Sequence, residues 1–336
     1  MKIKMKSKIK FGIIGCSSIA KKSAIPAILS GKNSTLEMIG SRTTTKAKKF
    51  ARDFSCSKYG NYDDVLKNND IDAVYISLPI NLHEKWAIKA ARSGKHVLCE
   101  KSVALSYDSA KKIIKECKKN NVKIMENFIF RFHPQHKKIL YLIRKNSIGE
   151  ICNISGKYGF TFSFSKKNFR FDKKLGGGSL NDVGCYLISI CNFIFQDTPT
   201  SVYCNLEFDK KSSVDIRGNI HLTFSGNKTA SLSFGYNNYF QSICEIWGTK
   251  GIIKTERAFN VAKNTKSIIY LHQNDKIKKI VIPAANQFQL AIEHFCNTIK
   301  NNSSEYTFEK ELLEQALVME AARKSSVKNS VIKLRY

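Results

Sequence analysis

The sequence predicts an α/β protein: an N-terminal doubly wound parallel sheet, then a C-terminal α+β domain built on a large open, mostly antiparallel sheet. Two observations predict it. Short apolar runs alternate with helix-like segments up to about residue 126, as strands joined by right-handed helical crossovers require. After residue 150 the apolar period falls to about two, which suits a sheet with one buried and one solvated face. The domains are read as residues 1–126 and 127–336.

In the first half, strand-like runs at 9–15, 36–41, 73–78, 96–99 and 122–125 alternate with helical patterns at 18–30, 45–54, 82–92 and 106–119. Pro26 lies inside the first helical pattern and should kink or restart it. In the second half, Ile216, Gly218, Ile220, Leu222 and Phe224 alternate with polar neighbours, as do Ala230, Leu232, Phe234 and Tyr236. Ser225-Gly226-Asn227 is a turn signal between them, so the pair reads as a hairpin. Further strands are read at 151–164, 202–208, 242–247, 251–256, 267–272 and 277–282, and helices return at 288–300 and 308–324.

The 336 residues and 43% hydrophobic content suffice for two cores. No apolar run approaches the roughly 20 residues of a membrane span. Met1 to Lys10 lacks the apolar stretch of a secretory signal. Ten scattered cysteines without a Cys-x-x-Cys pair suit reduced, buried thiols and a cytoplasmic location, not a disulfide framework or zinc site. The net charge of +29 is spread along the chain without a basic tail. It reads as solvated lysine faces, with no nucleic-acid or membrane partner expected.

The first strand runs into Gly12-Ile13-Ile14-Gly15-Cys16-Ser17-Ser18-Ile19-Ala20. Gly15 and Ala20 fill the first and third positions of the dinucleotide fingerprint, and Ser17 replaces the second glycine. A small hydroxyl there can still bind phosphate, and Ser18 and Ile19 open a helix whose N-terminus favours anions. The second strand ends in Ser41-Arg42 with Lys46 nearby. No carboxylate stands there for the ribose hydroxyls of NAD(H), whereas a guanidinium suits a 2′-phosphate, so NADP(H) is preferred over NAD(H). The alternative is a polar turn with a threonine cap.

Downstream, Leu78-Pro79-Ile80-Asn81-Leu82-His83 leads into Gly94-Lys95-His96-Val97-Leu98-Cys99-Glu100-Lys101-Ser102. Then come Glu126-Asn127-Phe128, Arg131-Phe132-His133-Pro134-Gln135-His136, Phe169-Arg170-Phe171-Asp172 and Leu175 to Tyr186 with its Gly176-Gly177-Gly178 run. Asn286-Gln287-Phe288 precedes the late helix. In these ordered motifs the chain resembles the glucose–fructose oxidoreductase/inositol dehydrogenase (Gfo/Idh/MocA) family, with the look of its sugar ketoreductase and dihydrodiol dehydrogenase branch. The resemblance implies a Rossmann cofactor domain with Leu78, Pro79, Asn81, His83, Glu100, Lys101 and Asn127 on the cofactor side. It makes Lys101 the catalytic lysine, with Tyr186 where the family carries His or Tyr. Ser102 departs from the family's proline and loosens the constraint on the backbone beside Lys101.

Hydride transfer between nicotinamide and a secondary alcohol or ketone needs an acid/base group at the reacting oxygen. Lys101 and Tyr186 are read as sharing that proton transfer. Asp182 and Tyr186, four apart, are expected on one helix face, with Leu180, Val183, Leu187, Cys191 and Ile194 packed behind. Asp182 would orient the substrate hydroxyl or the lysine. Arg170 reads equally as a grip on a sugar hydroxyl or phosphate and as a surface ion pair with Asp172. The histidines lack metal spacing, so no metal is expected. The substrate is read as a sugar, with a nucleotide-linked keto-deoxysugar preferred, and the assembly as a homodimer or homotetramer through the second sheet. The competing readings are a polyol or dihydrodiol dehydrogenase, a non-catalytic NADP-binding regulator on the same fold, and a basic nucleic-acid-binding protein.

Overall fold

The computed structural model describes residues 8–161, 168–301 and 308–335. It divides into two compact units. The first comprises Met1–Asn127 with Phe288–Leu313, and the second Phe128–Gln287 with Glu314–Tyr336.

The first unit is built on β1 (Ile9–Ile14), β2 (Ser34–Gly40), β3 (Lys58–Gly60), β4 (Ala73–Ile76), β5 (His96–Cys99) and β6 (Ile124–Glu126). They pair in the order β3-β2-β1-β4-β5-β6, all parallel. The order reverses between β1 and β4, so a crevice opens past their carboxyl ends, where doubly wound sheets bind ligands. The strands are buried on both faces, which explains their continuous apolar runs. The crossovers are α1 (Ile25–Ser30), α2 (Thr44–Asp53), α3 (Tyr62–Lys67), α4 (His83–Arg92) and α5 (Tyr107–Lys119). Pro26 acts as expected: a π-turn at Ala20–Ala24 gives way to α1, with the proline in its first turn. β3 and α3 carry no long apolar pattern and escape the sequence reading.

Phe288–Leu313 packs with this first unit, whereas the sequence boundary kept everything after residue 126 together. The bonds are explicit. Phe295 is fully buried, its ring centroid 6.4 Å from that of Phe11. Glu293 accepts hydrogen bonds from the Asn33 backbone N–H (3.1 Å) and side-chain amide (2.7 Å). These partners lie over 250 residues apart in the chain, beyond the reach of local periodicity.

In the second unit α6 (Pro134–Arg144) and α7 (Cys185–Phe195) accompany a nine-stranded sheet. Its strands are β7 (Ile151–Phe160), β8 (Ser201–Phe208), β9 (Asp215–Thr223), β10 (Thr229–Tyr236), β11 (Gln241–Gly248), β12 (Gly251–Thr255), β13 (Ser267–Gln273), β14 (Lys276–Ile282) and β15 (Ile332–Lys333). The order is β14-β13-β12-β11-β7-β10-β9-β8-β15, and only β7 and β10 pair in parallel. The hairpin read at Ser225–Asn227 joins β9 to β10 in register. Residues 162–164 of the predicted strand 151–164, and Met1 to Ser7, lie outside the described residues.

The late helices are α8 (Gln287–Asn301) and α9 (Phe308–Lys328). One sheet face packs on α7 and part of α9 through residues such as Ile220, Leu222, Leu232, Ile246 and Met319. Trp247, Ile252, His272 and Ile277 stand in cross-strand register on the other face, with Trp247 59% and Ile277 60% exposed. The helical path Lys173–Phe195 is long and apolar enough to span a membrane, but it is mostly buried in this unit. All ten cysteines are free thiols.

Candidate active site

The loop after β1 turns at Gly15, whose φ is +114°. A Cβ at Gly15 would stand 2.9 Å from Leu78 Cδ2 and 3.0 Å from the Ser77 carbonyl oxygen, so only glycine keeps this approach open. Ser17 spends its hydroxyl inside the protein. Its Oγ accepts from the Ala20 N–H (3.1 Å), capping the helix, and donates to Ser77 Oγ (2.9 Å). Ser77 in turn donates to the Gly15 carbonyl at 2.9 Å. The hydroxyl expected at a phosphate also braces two loops together. Ser18 and Ile19 are exposed beside it, where first-turn N–H groups lack carbonyl partners.

Ser41 is buried at the end of β2, its N–H bonded to the Gly60 carbonyl at 3.0 Å. Arg42 and Lys46 are exposed. Arg42 makes no ion pair among the described residues, and Lys46 lies 6.0 Å from the centroid of the Phe50 ring. Cys16, which the sequence reading passed over, lies near Ser41 and Lys46; burial pushes its thiol up despite both. An open glycine turn, an exposed helix start and an unneutralised guanidinium at the end of β2 fit a phosphorylated dinucleotide.

Leu78 and Pro79 are part-buried and Asn81 is exposed, on the segment that follows β4. His83 is fully buried. Its ring nitrogens lie 2.8 Å from the Leu78 carbonyl oxygen and 2.9 Å from that of Ser102. His83, expected on the cofactor side, ties the segment after β4 to the loop after β5. Burial depresses its pKa against those carbonyls.

Lys101 is the second residue past the end of β5 and is part-buried. Its neighbours are anchored. Glu100 accepts from the Tyr75 hydroxyl (2.6 Å) and the Asn127 side-chain amide (2.7 Å), while burial pushes its carboxyl up. Ser102 is buried, in a cis peptide with Lys101, and Glu126 accepts from the Val103 N–H at 2.9 Å.

In the second unit the glycine run leads into a π-turn, Leu180–Gly184, that continues as α7. Leu180, Val183, Leu187, Cys191 and Ile194 are buried as the sequence pattern required. Asp182 and Tyr186 are only part-buried. Arg170 Nε donates to Asp182 Oδ2 at 2.6 Å, so its carboxylate partner is Asp182 rather than the neighbouring Asp172. Burial opposes the charge of Arg170, but Asp182 outweighs it and raises the guanidinium pKa. The Tyr236 hydroxyl donates to the Gly178 carbonyl (3.1 Å) and approaches Asp182 (3.4 Å); burial, then Asp182, pushes it far up. Tyr186 stands in an aromatic nest, 5.4 Å from Phe128 and Tyr158 and 5.6 Å from Phe259 between ring centroids. Tyr236 and Ser77 were not foreseen, because each sits in a strand or at its end and looks like ordinary patterning. No group able to hold a metal stands among the described residues.

Residues 9–128 match the oxidoreductase family with an NAD-binding Rossmann fold. Residues 136–254 match the GFO/IDH/MocA C-terminal domain. The chain belongs to the Gfo/Idh/MocA oxidoreductase family. It is 29% identical to the dTDP-3,4-didehydro-2,6-dideoxy-alpha-D-glucose 3-reductase of Actinomadura kijaniata, over 94% of this chain and 95% of that one. It is 31% identical to the trans-1,2-dihydrobenzene-1,2-diol dehydrogenase of Xenopus tropicalis, over 73% of this chain and 74% of that one. A crystal structure of a 3-ketoreductase from Actinomadura kijaniata in complex with NADP and TDP-benzene superposes with a TM-score of 0.90 at 28% identity, covering 95% of this chain and 98% of that one. Both branches named from the sequence are thus among the relatives of this Gfo/Idh/MocA protein.

Proposed function

We propose that this protein is an NADPH-dependent ketoreductase acting on a nucleotide-linked keto-deoxysugar. The observation that carries the reading is Lys101, two residues past β5 at the carboxyl edge of the parallel sheet, with Glu100 and Ser102 held on either side. Gly15, Ser18, Ile19, Ser41, Arg42 and Lys46 would hold NADP(H), and the segment Leu78, Pro79, Asn81 would follow it toward Lys101. When bound, the cofactor supplies the hydride.

Lys101 and Tyr186 jointly deliver the proton that the reduced carbonyl oxygen takes up. Asp182, with Arg170 on its second lone pairs, orients the sugar hydroxyl. The 3-ketoreductase relative matches over nearly the whole of both chains, and its structure holds a TDP compound, which supports a nucleotide-linked substrate here. A cytoplasmic location and a homodimer or homotetramer through the open face around Trp247 complete the proposal.

The test is Lys101→Ala assayed with NADPH and a TDP-linked 3-keto-deoxysugar. Turnover is expected to fall by more than about 100-fold while NADPH binding survives. Full activity in that variant overturns the assignment of Lys101. Tight NADP(H) binding without turnover on any keto-sugar or polyol overturns the enzyme reading in favour of a regulator.

A further inference from the structure

Asp182 and Tyr186 belong to a helix with no cap of its own. Ser179, which precedes the π-turn, makes no side-chain cap bond to it. The cap arrives from another strand. Asp215, the first residue of β9, is 9% exposed, and its Oδ2 accepts from the Leu180 N–H (2.5 Å) and from Ser179 Oγ (2.9 Å). A carboxylate on a helix N-terminus satisfies an orphan donor and opposes the dipole there. Gly178 has φ +119°, and a Cβ on it would collide with the Asp215 carboxylate. The carboxylate therefore fills the space a side chain at 178 would need.

A second tether comes from α9. Arg323 donates to Asn181 Oδ1 at 2.5 Å, and the Asn181 amide donates to the Gly176 carbonyl at 3.0 Å. Leu180 and Asn181, the two residues before Asp182, are thus gripped from β9 and from α9. Burial pushes the Asp215 carboxyl up, and the charge of Arg323 opposes that.

The grip matters because the turn is a π-turn: the Cys185 N–H bonds to the Leu180 carbonyl, five residues back. Such a turn holds one residue more than an α-turn. If its start were released, slippage by one residue would rotate a side chain by about 100° around the helix axis. The relation of Asp182 to Tyr186 depends on where the extra residue is held.

We propose that Asp215 and Arg323 are positioning residues for the reduction, locking the π-turn so that Asp182 and Tyr186 keep the orientation in which they meet substrate. This rests on the ketoreductase reading for the roles of Asp182 and Tyr186. It assigns no chemistry to Asp215 or Arg323 themselves.

The experiment compares D215A, D215N, R323A and R323K with the wild-type protein. Steady-state kinetics with NADPH and a TDP-linked 3-keto-deoxysugar are combined with NMR of tyrosine-Cζ-labelled protein, the Tyr186 signal being assigned with Y186F. In the alanine variants kcat is expected to fall by roughly 10- to 100-fold, the size of a misplacement effect, with the NADPH Kd within about twofold because the cofactor-side residues are untouched. D215N and R323K, which keep an acceptor and a cationic donor, recover most of the rate. The Tyr186 signal shifts or broadens in the alanine variants and returns in the conservative ones. Unchanged kcat with only a lower melting temperature overturns the proposal, as does a Tyr186 signal that ignores all four variants. If D215A does not fold, R323A and D215N decide by the same two readouts. Failure of the ketoreductase reading looks different: the wild-type protein lacks turnover while the Tyr186 signal still answers to Asp215.

Discussion

Replacing Arg42 by alanine tests the proposal that this guanidinium selects the cofactor. The side chain is exposed at the end of β2 and carries no ion pair among the described residues. Its removal therefore strands no buried charge and leaves the fold intact. What is lost is the charge-assisted pairing with a 2′-phosphate, worth about 1.5–3 kcal/mol. That converts to a rise of roughly 10- to 160-fold in the Kd for NADPH. NADH has no 2′-phosphate and should lose less than about threefold, the residue of general attraction to its pyrophosphate. Fluorescence titration of both cofactors in 0.15 M salt measures the difference. Equal losses for the two, or none for NADPH, would refute the assignment of Arg42, and Lys46→Ala run beside it would show whether the second cation carries the selection instead.

Three further outcomes follow from the geometry. Gly15→Ala sets a Cβ against Leu78 and the Ser77 carbonyl at positive φ, and should cost about 1–3 kcal/mol of stability with a matching loss of NADPH affinity; a melting temperature equal to wild type would contradict it. Asp182→Asn removes the charge facing Arg170 at 2.6 Å, and kcat should drop by roughly 10-fold or more, whereas a change in KM for NADPH alone would place Asp182 on the wrong substrate. Burial lowers the pKa of His136 from 6.5 to about 4. Between those values the unfolded chain binds more protons than the folded one, so stability falls as pH drops from 6.5 toward 4, by at most about 3 kcal/mol for this group. Urea midpoints at pH 7.5 and 5 check this, and identical midpoints would refute it.

Where function depends on segments that punctuate a periodic pattern, the sequence was informative. Gly15, Arg42 and Lys101 each follow a strand of the parallel sheet, and the fold of both units was legible from the change of period near residue 150. Legibility failed where the partner is distant. The bond from Ser17 to Ser77, 60 residues on, has no signal in spacing. The two carbonyl partners of His83 are equally silent in the sequence. The two readings of Arg170 stayed level for the same reason: Asp172 is nearer in sequence, but the turn at Gly176–Gly178 brings Asp182 to it. Asp215 could not be found at all, since a carboxylate opening a strand is ordinarily solvated.

The docking of Phe288–Leu313 onto the first unit has a consequence during synthesis. The ribosome releases Phe11 and Asn33 long before Phe295 and Glu293 exist. Until then the strip of the emerging Rossmann unit that Phe295 and Glu293 will cover stays open, through the translation of residues 128–287. At about 5–20 residues per second, that is a wait of many seconds, and it marks the interval in which a holdase would find this chain. Truncation after residue 127 would make the exposure permanent, because Phe288–Leu313 completes the cofactor unit from beyond the second unit's sheet.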